Sequence, residues 1–226
     1  PFIISMKSTF ETEKQFHIVL EFAIGGDFFF HLSRERKFSE ERTKFYGAEI
    51  VAAFEHLHEL GIIYRDLKLE NLMLDGEGHV KLVDFGLCLE IGGKNDGKLC
   101  GTTEYFAPEV IERREYTTAV DWWTFGIVLF EMLCGNCPFR VTNGIDLFWQ
   151  ILNAKVKFSA PISEEAENLI FELLEKNPQK RLRNAKEIIE KSFFASIDWE
   201  EIKSGNAKPP FKPNFDSEID TRNFDD

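Results

Sequence analysis

The first third of the chain changes from a strand-like apolar run to helix-like apolar spacing. Residues 16–22 are rich in β-branched and aromatic side chains and precede a Gly-Gly pair, so they predict a buried strand. A weaker strand candidate lies at 2–6. Asp27 can cap a helix through Leu32. Ser39 begins a second helix, whose first turn is acidic, and this helix is predicted to stop at Gly61.

Beyond this helix the spacing of apolar residues changes from helical to extended and later back to helical. Short extended runs at 62–64, 72–74 and 80–83 are separated by turn-forming residues, and a loop is predicted at 86–101. The helical segments predicted after the loop are 121–134, 145–152, 163–175 and 184–190. From Lys203 the chain is polar and proline-containing, so an extended tail is expected. The pattern indicates a mostly helical body with a few short hairpin strands.

Composition narrows the possible partners. The chain is 43% hydrophobic and carries 27 Lys and Arg against 39 Asp and Glu, which gives a net charge of −12. This balance argues against nucleic-acid binding and against direct membrane binding by this segment, because both need a basic face. It fits cationic partners such as arginine-rich peptides.

Cysteine usage and the apolar runs favour a cytoplasmic protein. The four cysteines include one Cys-x-x-Cys, at Cys134 and Cys137, without the second pair that a zinc site needs. The longest apolar run, 122–134, is too short to span a bilayer and contains Glu131, so it predicts a buried helix. The chain shows no signal-peptide pattern at its start. A reduced, metal-free intracellular protein is the expectation.

Three motifs in order carry the chemistry. Tyr64-Arg65-Asp66-Leu67-Lys68-Leu69-Glu70-Asn71 precedes Asp84-Phe85-Gly86 and then Ala107-Pro108-Glu109. This is the order of a protein-kinase catalytic loop, metal-binding loop and activation-segment end. Asp66 would orient the substrate hydroxyl, Lys68 would neutralise phosphate charge, and Asn71 and Asp84 would hold Mg²⁺. An isolated Asp-Phe-Gly is usually only a turn. Three complete motifs in this order indicate a kinase instead.

The resemblance is closest to the AGC serine/threonine kinases. The segments that carry it are 45–50, 64–75, 84–88, 119–123 and 209–213. Within that family, Leu69 and the tail segment 217–222 are most similar to the protein kinase B (Akt) group, with the protein kinase C group as the near alternative. The resemblance implies an α+β, protein-kinase-like fold, mainly the helical C-terminal lobe with remnants of the small-lobe sheet. It divides the chain into the end of the small lobe and hinge (1–24), the C-terminal lobe (25–194) and the AGC tail (195–226).

The resemblance also implies roles for individual residues toward ATP and magnesium. The residues implied to contact or enclose the nucleotide are Leu20, Glu21, Ala23, Asp27, Glu70, Met73 and Phe224. Thr102 resembles the threonine that contacts the catalytic Asp, and Asp121 the residue that holds the catalytic-loop backbone. Glu109 and Arg181 match a buried ion pair. Asp27, Glu70 and Glu131 match positions that bind substrate arginines, where carboxylate–guanidinium pairing is directional.

Several features depart from the family pattern. The 226 residues contain no G-x-G-x-x-G, and the small-lobe Lys and Glu are missing, so weak ATP binding and slow turnover are expected. Lys98 stands where the family has its activation-loop threonine, which predicts that phosphorylation there does not switch this protein. Thr103 replaces a proline. Cys88 and Cys100 bracket the loop, as ordinary thiols or as a regulatory disulfide.

Three interpretations therefore stay open. The first is the large lobe of an arginine-directed serine/threonine kinase in intracellular signalling. The second is a catalytically impaired lobe that binds basic peptides or regulatory proteins. The third is a fragment without a cellular function. The intact Asp66, Lys68, Asn71 and Asp84 favour the first interpretation, because these residues have no evident use in a scaffold.

Overall fold

The computed structural model describes residues 1–93, 100–115, 117–141 and 145–224. The strands in these ranges are β1 (Met6–Glu11), β2 (Phe16–Leu20), β3 (Ile62–Ile63), β4 (Leu72–Leu74), β5 (Val80–Leu82) and β6 (Leu89–Glu90). The α-helices are α1 (Phe28–Glu35), α2 (Glu40–Glu59), α3 (Pro108–Ile111), α4 (Ala119–Cys134), α5 (Leu147–Asn153), α6 (Glu164–Leu173), α7 (Ala185–Ile189) and α8 (Trp199–Ser204). Strand pairing is antiparallel within β1–β2, β3–β6 and β4–β5.

Helix α4 forms the centre of the core, as its apolar sequence predicts. Every one of its residues is buried, and it packs against α2 and α6. Two predicted helix starts are confirmed, because the Asp27 carboxylate accepts the Phe30 amide (2.8 Å) and the Ser39 hydroxyl accepts the Arg42 amide (3.2 Å). The sequence prediction missed the short helices α3 and α8, and the latter contains the first residues of the predicted tail.

The N-terminal hairpin corrects two predictions. The strand candidate at 2–6 is wrong, because β1 begins at Met6 and Ile3 makes only an isolated bridge to Leu82. The strand at 16–22 exists as β2 but is not buried, since Phe16 is 65% and Ile18 57% exposed. A two-stranded ribbon displays apolar side chains on both faces, and no layer of the described residues covers them.

Helix α2 fastens the β4–β5 hairpin to the core. The buried Glu49 carboxylate accepts the Val80 amide (2.8 Å) and bonds His79 Nδ1 (2.6 Å). Burial raises the pKa of Glu49, and the hydrogen bond to Glu49 raises the pKa of His79. Strand β3 pairs with β6, which lies in the segment predicted to be loop only. These contacts fix both ends of the segment between β3 and β4.

A buried ion pair joins the segment after α6 to helix α3. Arg181 Nη1 and Nη2 donate to the two Glu109 carboxylate oxygens at 2.7 and 2.9 Å, and Nη1 also donates to the Ala119 carbonyl (2.9 Å). Both partners are 1% exposed. The pairing that the resemblance implied is therefore formed.

Candidate functional site

The loop that follows β3 is held by a carboxylate of the core. Asp121 Oδ1 accepts the Arg65 amide (2.8 Å) and Oδ2 accepts the Tyr64 amide (2.9 Å), while Arg65 adopts a φ of +73°. His58 Nε2 also bonds Asp121 Oδ2 (2.7 Å). The resemblance implied the role of Asp121. It did not identify His58, which is 63 residues away along the chain.

Four of the predicted catalytic residues meet in one cluster. Asn71 Nδ2 donates to the Asp66 carbonyl (2.8 Å) and to its Oδ2 (3.0 Å). Lys68 Nζ lies 3.3 Å from the same Oδ2 and also 3.3 Å from Thr102 Oγ1. Asp66 is only 6% exposed. The carboxylate of such a cluster can orient a hydroxyl group, and the neighbouring lysine can offset the charge of a phosphate.

Asp84 follows β5 beside this cluster. Its φ is +58°, and its Oδ1 accepts the Gly86 amide (3.1 Å), while the carboxylate faces solvent. The preceding Val83 donates its amide to the Asn71 carbonyl (3.0 Å) and accepts the Tyr64 hydroxyl. The backbone segments that carry Asn71 and Asp84 are therefore directly bonded to each other.

Asn71 and Asp84 fit a magnesium site. The amide nitrogen of Asn71 is used by Asp66, so its Oδ1 is the atom left for a metal, and Asp84 offers a solvent-facing carboxylate. Mg²⁺ prefers oxygen ligands and commonly takes only one or two protein groups plus substrate phosphates. In the part of the chain that the structure describes, no three His, Cys, Asp or Glu residues form a metal cluster of their own. The donor set therefore suits a metal that arrives with a nucleotide.

The linker after β2 lies against β4. The Gly25 amide donates to the Leu74 carbonyl and the Leu74 amide to the Gly26 carbonyl, both at 2.8 Å, and Asp27 bridges to Met73. This pairing brings the linker, which includes Ala23, beside Met73. The Leu20 side chain at the end of β2 is 44% exposed. The predicted nucleotide-contacting residues of the linker and of β4 therefore belong to one surface.

The C-terminal tail reaches the same linker. The Phe224 ring stacks on Phe22 with centroids 5.6 Å apart and 15° between the planes. The resemblance placed Phe224 at the nucleotide site, and the stacking puts it next to Ala23. Phe22 as its partner was not predicted.

Two of the predicted carboxylates also have structural bonds. Glu21 Oε1 accepts the Ser5 amide (3.1 Å) and lies 3.3 Å from Lys81 Nζ. Partial burial raises the pKa of Glu21, but these bonds outweigh it and the net pKa is lowered. Asp27 uses Oδ1 to cap α1. The Glu21 side chain is therefore engaged, which leaves its backbone for the predicted nucleotide contact, and Asp27 keeps Oδ2 for other partners.

Two of the predicted arginine-binding carboxylates, Glu131 and Glu70, lie near each other and near Glu104. Glu131 is buried and accepts the Tyr105 hydroxyl at 2.6 Å. The pKa of Glu131 is raised to about 7, chiefly by burial and also by the nearby charges of Glu70 and Glu104, against the lowering effect of the Tyr105 hydrogen bond. Glu131 also lines an open cleft of about 480 Å³.

The raised pKa of Glu131 predicts a pH dependence of stability. The native chain keeps this proton to higher pH than the unfolded chain, whose Glu titrates near the ordinary value of 4.5, so the unfolding free energy falls as pH rises from about 4.5 to 7. Relative to the Glu131→Gln variant, the wild type should lose about 3 kcal/mol between pH 4 and 8. Denaturant titrations across this range measure the difference. The exposed Glu165→Gln, which is not among the groups that act on Glu131, is the control, and a wild-type slope that equals that of Glu131→Gln would contradict the assignment.

The activation loop is only partly described. Lys98, on which the predicted loss of the phosphorylation switch depends, lies outside the described residues. Cys88 and Cys100 carry free thiols, and burial raises the pKa of Cys88 to about 12. Arg65 Nε donates to the Leu87 carbonyl at 2.5 Å, which joins the catalytic loop to the start of the activation loop. None of the described helices combines the length and the apolarity needed to cross a membrane.

Comparisons with known proteins identify the family. The protein kinase domain model matches residues 1–194. The chain is 50% identical over 234 aligned positions to the RAC-beta serine/threonine-protein kinase of Homo sapiens, and 50% and 49% identical to RAC-beta kinases of Xenopus laevis and Mus musculus. Each alignment covers all of this chain and 48% of the relative, so the chain spans about half the length of these kinases. The predicted resemblance to AGC kinases of the Akt type is confirmed, and the chain belongs to the protein kinase domain family.

Proposed function

We propose that this chain is the catalytic lobe of a serine/threonine protein kinase that phosphorylates arginine-rich sequences in intracellular signalling. The observation that carries the proposal is the cluster in which the Asp66 carboxylate lies 3.0 Å from Asn71 Nδ2 and 3.3 Å from Lys68 Nζ. The proposed organisation is the end of the small lobe and the hinge (1–24), a C-terminal lobe (25–194) and a tail (195–226). A cytoplasmic location stays a prediction of the sequence.

Each residue of the cluster has a separate task. Bound Mg-ATP supplies the transferable phosphoryl group and the metal charge. Asp66 orients the substrate hydroxyl and accepts its proton, and Lys68 offsets the negative charge on the transferring phosphate. Asn71 and Asp84 hold the metal through their oxygens. Thr102 hydrogen-bonds Lys68 and thereby keeps the lysine next to Asp66.

The adenine ring is proposed to lie against the linker after β2. Among the described residues no backbone group bonds the Ala23 amide, which leaves this donor for a base. Leu20 and the Glu21 carbonyl would border the same face, with Met73 beneath the ring and Phe224 above its edge. These are the groups that a flat, partly apolar ligand with one polar edge requires.

The proposed preference for arginine rests on two neighbouring carboxylates. Glu131 and Glu70 lie close enough for the charge of Glu70 to raise the pKa of Glu131, and a guanidinium bound between them would remove that repulsion. The free Oδ2 of Asp27 would give a second arginine contact.

Phosphorylation of matched peptides by the intact protein tests the proposal. An arginine-rich serine peptide is expected to be phosphorylated, and its arginine-to-alanine and tyrosine analogues are not. Glu131→Gln with Glu70→Gln should raise KM for the arginine peptide about 10-fold or more with a smaller effect on kcat. The exposed Glu165→Gln is the control. Transfer that ignores arginine would contradict the specificity, and no transfer by folded protein would favour a binding module.

A further inference from the structure

The C-terminal tail lies on a surface that is shaped for it. A Cβ atom at Gly78 would stand 2.0 Å from the Phe211 carbonyl oxygen, and one at Gly26 would stand 1.9 Å from the Asn223 carbonyl oxygen. Both glycines have positive φ values, +98° and +78°. The tail backbone therefore packs directly on two positions that only glycine can occupy.

The guanidinium of Arg42 in helix α2 stacks on an aromatic ring of this tail and on one beside α2. Its Cζ lies 4.0 Å from the ring centroid of Phe38 and 4.1 Å from that of Phe211 in the tail. Its Nη1 donates to both carboxylate oxygens of Glu35, at 2.7 and 2.8 Å, which fixes the guanidinium plane. Arg42 is only 7% exposed, so water does not weaken the stacking.

A second ring contact supports the same tail residue. His31 packs edge-on against Phe211 with centroids 5.1 Å apart, and its Nε2 bonds the Gly25 carbonyl (2.6 Å). Phe211 is thus enclosed by Arg42 and His31, and its carbonyl rests on Gly78. Phe211 therefore anchors the tail.

Beyond Phe211, the tail continues to the linker beside the proposed nucleotide site. Asn223 Nδ2 donates to the Ile24 carbonyl (3.2 Å) and to the Asn214 carbonyl (3.0 Å), and Phe224 stacks on Phe22. Asn223 is buried at this end, whereas Phe224 is only partly buried. The anchor therefore limits how far the last residues can move from the linker.

We propose that Arg42 is a positioning residue for nucleotide binding, because its clamp on Phe211 holds the tail so that Phe224 stays against the linker. The consequence for the nucleotide rests on the proposed kinase function, whereas the clamp itself does not. A planar guanidinium can stack on the rings of Phe38 and Phe211 while its Nη1 binds the Glu35 carboxylate, and a lysine ammonium has no flat face with which to stack. Arg42→Lys should therefore behave more like Arg42→Ala than like the wild type.

Amide hydrogen exchange of the intact protein tests the clamp. We expect Arg42→Ala and Arg42→Lys to raise exchange of the Phe224 amide, which donates to the Thr221 carbonyl, by about 10-fold. Phe211→Ala should have the same effect without removing a core residue. The double variant should exchange no faster than either single variant. Arg34→Ala is the matched control, since Arg34 stacks at 3.7 Å on Phe30 of α1 rather than on the tail.

Calorimetric titration with Mg-ATP gives the second measurement. The dissociation constant should rise by a similar factor in Arg42→Ala and Phe211→Ala and stay unchanged in Arg34→Ala. Unchanged tail exchange in both Phe211→Ala and Arg42→Ala would overturn the clamp, and additive effects in the double variant would do so too. Faster tail exchange with unchanged Mg-ATP affinity would overturn the positioning role. A wild type that binds no Mg-ATP would instead contradict the proposed kinase function, and the exchange data would still decide whether the clamp exists.

Discussion

Replacing Asp66 with Asn is expected to lower the rate of phosphoryl transfer by about 10²- to 10⁴-fold. The variant keeps the shape of the side chain, and the Asn71 bond to the backbone carbonyl of residue 66 survives, so the loop stays in place. What disappears is the carboxylate that accepts the substrate proton and carries the charge opposite Lys68. Steady-state kinetics with the arginine-rich peptide measure the loss as kcat.

The same variant should leave nucleotide affinity almost unchanged, and this separates Asp66 from the metal-binding residues. Asp84→Asn should instead weaken Mg-ATP binding, because the proposed metal ligand is lost. Retention of more than about a tenth of the wild-type kcat by Asp66→Asn would show that another group accepts the proton.

Removing one partner of the buried ion pair is expected to have the largest effect on stability. Arg181→Leu leaves the Glu109 carboxylate in the core without its two guanidinium bonds, 2.7 and 2.9 Å long, and also removes the bond to the Ala119 carbonyl. An unpaired buried charge costs about 3–5 kcal/mol of unfolding free energy. Denaturant unfolding measures the change.

Two controls distinguish charge burial from general damage. Lys191→Ala removes a partly exposed pair with Glu172 and should cost no more than about 1 kcal/mol. The double variant Arg181→Leu with Glu109→Leu should be more stable than Arg181→Leu alone, since it buries no unpaired charge. A double variant that is less stable than either single variant would contradict this explanation.

The sequence predicted which residues cluster at the candidate site better than it predicted their surroundings. Asp66, Asn71 and Asp84 lie in short motifs whose spacing reflects one loop and one hairpin, so local sequence is enough to propose roles for them. The capping residues Asp27 and Ser39 were also predictable, because a cap depends only on the next few residues. The largely apolar sequence of α4 predicted that this helix is buried, and it is.

The features that were missed depend on contacts between distant segments. His58 bonds Asp121 across 63 residues, and Arg42 meets Phe211 only because the tail returns to α2. No local pattern encodes either contact. The exposure of β2 was mispredicted for a related reason, since burial depends on whether another layer covers the strand and the run of apolar residues does not contain that information.

Titration of the purified, folded chain with ATP in the presence and absence of magnesium tests the central claim most directly. The account predicts magnesium-dependent binding to the wild type and to the exposed control Glu165→Ala, and a loss of about 10-fold or more in Asp84→Ala. Magnesium-dependent binding of equal strength by Asp84→Ala, or none by a folded wild-type chain, would contradict a nucleotide site built on Asn71 and Asp84.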